Sequence, residues 1–286
     1  MIKVCIIYFV VFVYTVSSLI QVNKLIERLF DESNQTIENL ISFLKDKERI
    51  DQYRLDQLDS QIEIFSKKSG YLDLIDLDLI WNLIKDLDCK IFIELKIGDY
   101  LSEKQRIGTL YYPQGKTDEG FINQLSDGFS VGEERYSNND YKFSLQKIIE
   151  ISLRTISLGV NDPYTTIHCV RMLGELLGKL AGIDSRYTII QSDESKATIV
   201  YESLDFSKDI YYTFCQIVHY GKSDICIVLS LFEALESINR KASLHNRIVV
   251  KEFAEYVYSN CISKYDHKMD IDLIKAKMNR IVEGNV

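Results

Sequence analysis

The sequence predicts an α+β, mainly α, protein with an N-terminal transmembrane helix, a small barrel-sandwich-like β module and a C-terminal helical bundle carrying one hairpin. Three observations lead there. Only 2 prolines and 13 glycines interrupt 286 residues, which favours long helices over a turn-rich sandwich. An apolar run from Val4 to Val16 opens the chain. The spacing of apolar residues then changes twice, from helical to alternating near residue 61 and back to helical near residue 141. A hydrophobic fraction of 46% with 27% charged residues belongs to a folded chain and excludes wholesale disorder. The 42 acidic and 34 basic side chains leave a net charge of -8 with no local basic patch, so nucleic acid is not expected as a partner.

The elements follow in order. Residues 1–22 are expected to form the anchor, because Val4–Val22 is about the length that crosses a hydrocarbon core as a helix. A signal peptide has the same outline, with Lys3 ahead of the run and small residues at Ser17 and Ser18. Two features favour retention. Leu25, Ile26, Leu29, Phe30, Ile37, Leu40, Ile41 and Leu44 continue at helical spacing beyond the serines. The six cysteines are scattered without a CxxC, as reduced thiols would be, and not as a disulfide framework. Lys24 and Arg28 outnumber Lys3 and place the body in the cytoplasm, as a single-pass protein of the cell membrane, although Glu27 and Asp31 weaken the bias.

Residues 23–60 read as a helical stalk, apolar on one side and polar at Glu38, Lys45, Asp46 and Arg49. Residues 61–135 read as the β module. Gln61–Phe65, Tyr71–Ile75, Lys90–Leu95 and Arg106–Tyr112 have strand patterns, a helix around Trp81 is inserted, Gly98-Asp99 makes a turn, and Pro113 and Gly115 end the last strand. Residues 136–286 read as mainly helical. Helices are expected over 143–157 and from Asp162 to about Leu180, with Asp162 as N-cap and Pro163 at the first helical position. A hairpin over 188–191 and 198–202 precedes helices over 208–220, 223–239, 247–263 and 271–282.

Four segments carry a family resemblance. Ser69–Asp76 contains a GY followed by ID, Lys96–Leu101 contains GDY, and Phe129–Arg135 ends in ER. Ile151–Thr165 reads ISLRTISLGVNDPYT, and Gln216, Ile217, Tyr220, Gly221 and Asp224 add a fifth, weaker match. Together they resemble the bacterial predicted-membrane-protein family called domain of unknown function 2254, from about residue 10 onward. The Asn161-Asp162-Pro163 stretch is the most specific part. The resemblance implies several membrane helices ahead of the soluble part, so this chain reads as a truncated member keeping the last of them. Leu158 stands where that family usually has proline, Tyr136 replaces a threonine, and Thr166 replaces an alanine. No established activity comes with the resemblance.

Glu134, Arg135, Asp140, Arg154, Asn161 and Asp162 form the candidate polar or ligand site, since arginine and carboxylate pairs can organise a bound anion. The same residues also suit a structural role, with Asp162 as a cap, Asn161 in a tight turn and the arginines as ties. No nucleophile–base pair is visible, so no catalytic residue is assigned. Cys215 and His219 share a helix face, but His168-Cys169 cannot aim both side chains at one ion, so no metal is expected. Gly98–Leu101 followed by Gln105–Leu110 is similar to a turn of lipoyl-like barrel-sandwich folds, without a lysine at a hairpin tip for a carrier role, and no cofactor is expected. The leading expectation is a membrane-anchored, non-enzymatic regulatory or interaction module, with the lipid bilayer as partner through residues 4–22 and a homo-oligomer or membrane-protein partner beside it. The alternatives are a small-molecule sensor or enzyme using the Arg/Asn/Asp cluster, and a secreted protein with a cleaved leader.

Overall fold

The computed structural model describes residues 2–50, 60–112, 118–136, 140–157 and 159–283, apart from the side chains of residues 2, 3 and 17–21. It is α+β with a mixed sheet and a helical C-terminal half. Helix α1 (Ile2–Leu44) opens the chain and is followed by strand β1 (Glu48–Ile50). The expected helix therefore stops well short of residue 60. Leu44 is the last side chain of its stripe to be buried, and beyond it Lys45 and Asp46 are exposed. The backbone from Glu48 finds its hydrogen bonds in a sheet instead. The expected helical stretch over 51–59, the strand end at Pro113 and Gly115, and Leu158 lie outside the described residues.

Strands β2 (Ser60–Phe65), β3 (Gly70–Ile75), β4 (Lys90–Ile93), β5 (Tyr100–Leu101) and β6 (Arg106–Tyr112) surround helix α2 (Leu77–Ile84), close to the expected order. Helix α3 (Glu119–Asp127) and strand β7 (Phe129–Gly132) were not anticipated. The helical half contains α4 (Tyr141–Ile156), α5 (Pro163–Leu180), α6 (Phe206–Gly221), α7 (Ile225–Lys241), α8 (Leu244–Cys261) and α9 (Lys268–Val282). The hairpin β8 (Tyr187–Ile190) and β9 (Thr198–Glu202) lies between α5 and α6. Aspartates cap the starts of α2, α4, α5, α6 and α7 by accepting backbone N–H bonds, as Asp, Asn, Ser and Thr do best.

The strands do not close into a self-contained barrel-sandwich over residues 61–135. They form a six-stranded sheet, order β1-β8-β9-β4-β6-β2, and a three-stranded sheet, order β5-β3-β7. In the larger sheet every pair is antiparallel except β9 with β4. The reason lies in β4. Ile91 and Ile93 are buried on one face, and Phe92 on the other lies 5.7 Å from the Tyr187 ring. Such a strand needs neighbours on both edges, and β9 supplies the second. The hairpin thus joins the β layer, although it is embedded in a helical stretch of sequence.

Two apolar cores result. One gathers Ile64, Leu72, Ile80, Ile91 and Leu110 between the sheets and the two short helices, with Ile199 and Tyr201 from β9. The other unites α1 with the six long C-terminal helices around Leu173, Phe214, Leu231 and Phe232. Helix α1 packs along α4 and α5, burying Ile26, Ile37 and Leu44 almost completely. Helices α5 and α7 approach so closely that a Cβ on Gly174 would stand 2.7 Å from that of Ala234. Among the described residues, no helix is long and apolar enough to cross a membrane. The described side chains from Val4 to Val16 are nonetheless all exposed. Because α1 is part of the helical core, Ile37→Ala should lower the unfolding free energy by about 2–4 kcal/mol in denaturant titration; a change within about 0.5 kcal/mol would mean that the helix is merely laid on the surface.

Candidate functional site

The three weaker motif segments assemble in space. The GY, GDY and ER stretches supply β3, β5 and β7, which together are the three-stranded sheet. Gly70, at φ 148°, lies so close to Gly132 that a Cβ would meet its carbonyl oxygen at 2.2 Å. Gly98, at φ 90°, places its backbone against the Arg135–Asp140 pair, where a Cβ would come within 2.0 Å of the Asp140 carboxylate. These glycines are required by close approach as well as by backbone angle.

The predicted cluster is divided in two. Arg135 Nε donates to Asp140 Oδ2 at 2.6 Å, and Nη1 donates to Gln146 at 3.0 Å. The guanidinium also lies 5.5 Å from the centre of the Phe143 ring. Asp140, 3% exposed, caps α4 by accepting from the Lys142 and Phe143 amides. Glu134 is exposed and accepts from the Tyr136 hydroxyl. Asn161 and Asp162 stand at the opposite end of α4, about 24 Å away by helical rise. There Asn161 adopts φ 46°, which asparagine tolerates, and Asp162 caps α5 through the amide and hydroxyl of Thr165. Arg154 is exposed and makes no side-chain ion pair with Asp162. The six residues therefore share no common point for a ligand.

A different constellation lies where the β layer meets the helices. The parallel strands β4 and β9 end side by side, and Lys96 and Glu202 meet just beyond them with Nζ 2.8 Å from the carboxylate. Both are largely buried, at 14% and 8% side-chain exposure. Arg186, ahead of β8, donates to the same Glu202 oxygen at 2.9 Å and lies 3.8 Å from Asp205, the cap of α6. Lys208 closes on Asp205 at 3.2 Å. From the first turn of α4, the Tyr141 hydroxyl donates to buried Asp209 at 2.6 Å, and Lys142 stands 3.2 Å from its other oxygen. One set of ion pairs thus ties the strand ends to the start of α6, and a second ties the starts of α4 and α6.

The electrostatics follow from this crowding. Burial acts to raise the Glu202 carboxyl, but hydrogen bonds and charge from Arg186 and Lys96 outweigh it and hold it below the ordinary range. Asp205 is lowered in the same way, burial being overcome mainly by Lys208. Burial first, and then the nearby Lys142 ammonium, lower Lys96 against the pull of Glu202. Burial and the Asp209 charge raise the Tyr141 phenol well above its usual value, so it remains a donor. A polar cleft of about 630 Å³ opens over this network, past Lys96, Lys142, Glu202 and Asp209. An apolar cavity of about 300 Å³ lies on its other side, sharing Lys96, Lys142 and Glu202.

These residues went unnoticed in the sequence because they are spread from Lys96 to Asp209. One local signal existed. Lys96 and Glu202 each close an apolar strand, where an unpaired charge would be costly to bury. Cys215 and His219 do share α6, with the His219 ring against Tyr220, but among the described residues no group of three or more metal-ligating side chains converges.

A family model described as "Predicted membrane protein (DUF2254)" matches residues 1–237. Among curated proteins, the uncharacterized protein Rv1290c of Mycobacterium tuberculosis is 23% identical over 180 residues, covering 62% of this chain and 34% of that protein. The uncharacterized protein Mb1321c of Mycobacterium bovis matches with the same identity and coverage. The chain spans about a third of the length of the curated relatives it matches. No solved structure matches.

The depressed carboxyls set a pH dependence. A carboxylate lowered on folding stabilises above its ordinary pKa of about 4, and that stability is lost as pH falls through the folded value. Glu202→Gln should cost about 3–5 kcal/mol at pH 7, since it leaves Lys96 without its buried counter-charge. Urea titrations at descending pH should show the wild type losing more stability than the variant below about pH 4. Parallel curves for the two proteins would remove Glu202 from this role.

Proposed function

The chain belongs to the DUF2254 family of predicted membrane proteins, and from that premise we propose that it is a membrane-anchored, non-enzymatic interaction module. The segment 4–22 of α1 lies in the bilayer, and the body packs beside it on the cytoplasmic face, within a homo-oligomer or against a membrane-protein partner. One observation carries this reading. A single helix, Ile2–Leu44, has Ile26, Ile37 and Leu44 in the helical core while the side chains described from Val4 to Val16 are exposed, among them Tyr8 at 74% and Phe12 at 64%. A contiguous apolar surface of that kind is unfavourable in water. Val4–Val16 extends about 20 Å and Val4–Val22 about 28 Å along the axis, the latter close to a hydrocarbon core of about 30 Å. Lys24 and Arg28, just beyond, support a cytoplasmic body by the positive-inside bias.

A docking role is supported by the face of α6 and α8, where Tyr211, Tyr212 and Ile248 are exposed. Tyr211 contacts Phe253 and Tyr256 there, making an aromatic surface of the type enriched at interfaces. The separation of Arg135–Asp140 from Asn161–Asp162 leaves the sensor or enzyme alternative without a shared site.

Flotation with phosphatidylcholine–phosphatidylglycerol vesicles tests the anchor. The full chain should float with lipid and resist alkaline carbonate, and its mass should retain the opening residues. Phe9→Lys with Phe12→Lys should reduce the floated fraction at least about tenfold, because each charge at membrane depth costs about 2.5–3.5 kcal/mol. Equal recovery of both proteins away from lipid, or a mature protein shortened past Ser18, contradicts the proposal.

A further inference from the structure

The 300 Å³ cavity between α1, the end of β3 and the end of β9 differs in character from one side to the other. Its wall is apolar, built by Leu40 and Phe43 of α1, Leu74, Leu77 and Leu95. Phe43 and Leu74 are 40% and 43% exposed, so the folded chain leaves hydrocarbon facing this opening. Its far end holds Lys96 and Lys142, which also line the polar cleft beyond. Lys96, Arg186 and Lys208 are joined through Glu202 and Asp205, and Lys142 pairs separately with Asp209. Of the other acids bordering the cleft, Glu94 shares Arg106 with Glu63, and Glu150 pairs with Lys147. Asp99 accepts the Lys96 amide within its own turn. Burial and the nearby Lys142 ammonium lower Lys96, and a further anion beside it would relieve that repulsion.

We propose that this cavity binds a small amphiphilic carboxylate, with its hydrocarbon tail against Leu40, Phe43, Leu74 and Leu77 and its head between Lys96 and Lys142. The volume lies at the small end of ligand sites, which suits a short or medium chain and not a whole phospholipid. The shared lysines let its head reach water through the adjoining cleft. This site is independent of the bilayer contact of α1, so it stands or falls separately from the anchoring proposal.

Equilibrium dialysis of labelled octanoate against the full chain in lipid nanodiscs, with empty nanodiscs subtracted, tests the assignment. Saturable binding of one octanoate per chain is expected, with no competition from acetate or octylamine. Lys142→Gln, at a side chain 29% exposed and therefore tolerant of change, should weaken binding about tenfold by loss of a charged contact. Leu74→Gln at the mouth should weaken it through the tail alone. No saturable binding above empty nanodiscs, unchanged affinity in both variants, or equal competition by octylamine would each overturn the proposal.

Discussion

The structure depends on a pair of opposite charges held where water scarcely reaches. Lys96, three residues past β4, meets Glu202, the last residue of β9, a strand far away in the chain that runs parallel to β4. Neither could be buried alone, because the desolvation penalty of an unpaired ion exceeds what nearby apolar packing returns. Arg186 adds a second donor to Glu202. Through Asp205 the network continues into the start of α6, and beside it Asp209 ties α6 to the first turn of α4. The β layer and the helical layer have separate apolar cores, and Arg186, reaching from ahead of β8 toward Asp205 at the start of α6, runs from one to the other.

Helix α1 is under a different constraint. Its C-terminal half is a component of the helical core, and its N-terminal half presents apolar side chains outward. Its face toward α4 and α5 includes the buried Ser33, opposite a helix that buries Ser144 and Ser152. None of these three hydroxyls has a hydrogen-bond partner, so small size and close helix approach explain their presence better than polarity does.

Much of the architecture was legible because local chemistry determined it. Asp162-Pro163 announced the start of α5, and alternating residues marked β6 over 106–112 as observed. The end of α1 was misplaced since the apolar stripe fades gradually, while pairing of Glu48–Ile50 with β8 is a long-range event. Strand β7 and helix α3 escaped notice for a related reason: Phe129–Gly132 is short, and α3 buries only Leu125 and Ser126. The candidate site fared worst. Arg135 and Asp140 do pair, and Asp162 does cap a helix, but one long helix keeps the two groups apart. The seam around Glu202 depends on tertiary proximity between Lys96, Tyr141, Arg186 and Asp209, which no spacing rule conveys.

The most direct measurement of the central claim is a double-mutant cycle on Lys96→Met and Glu202→Leu, followed by equilibrium unfolding of the full chain. A buried pair that ties the ends of β4 and β9 together should give a coupling energy of about 2 kcal/mol or more, with the double variant recovering much of what each single variant loses. Additive losses, with coupling within about 0.5 kcal/mol of zero, would show that the strand ends are held together without this ion pair and would contradict the account.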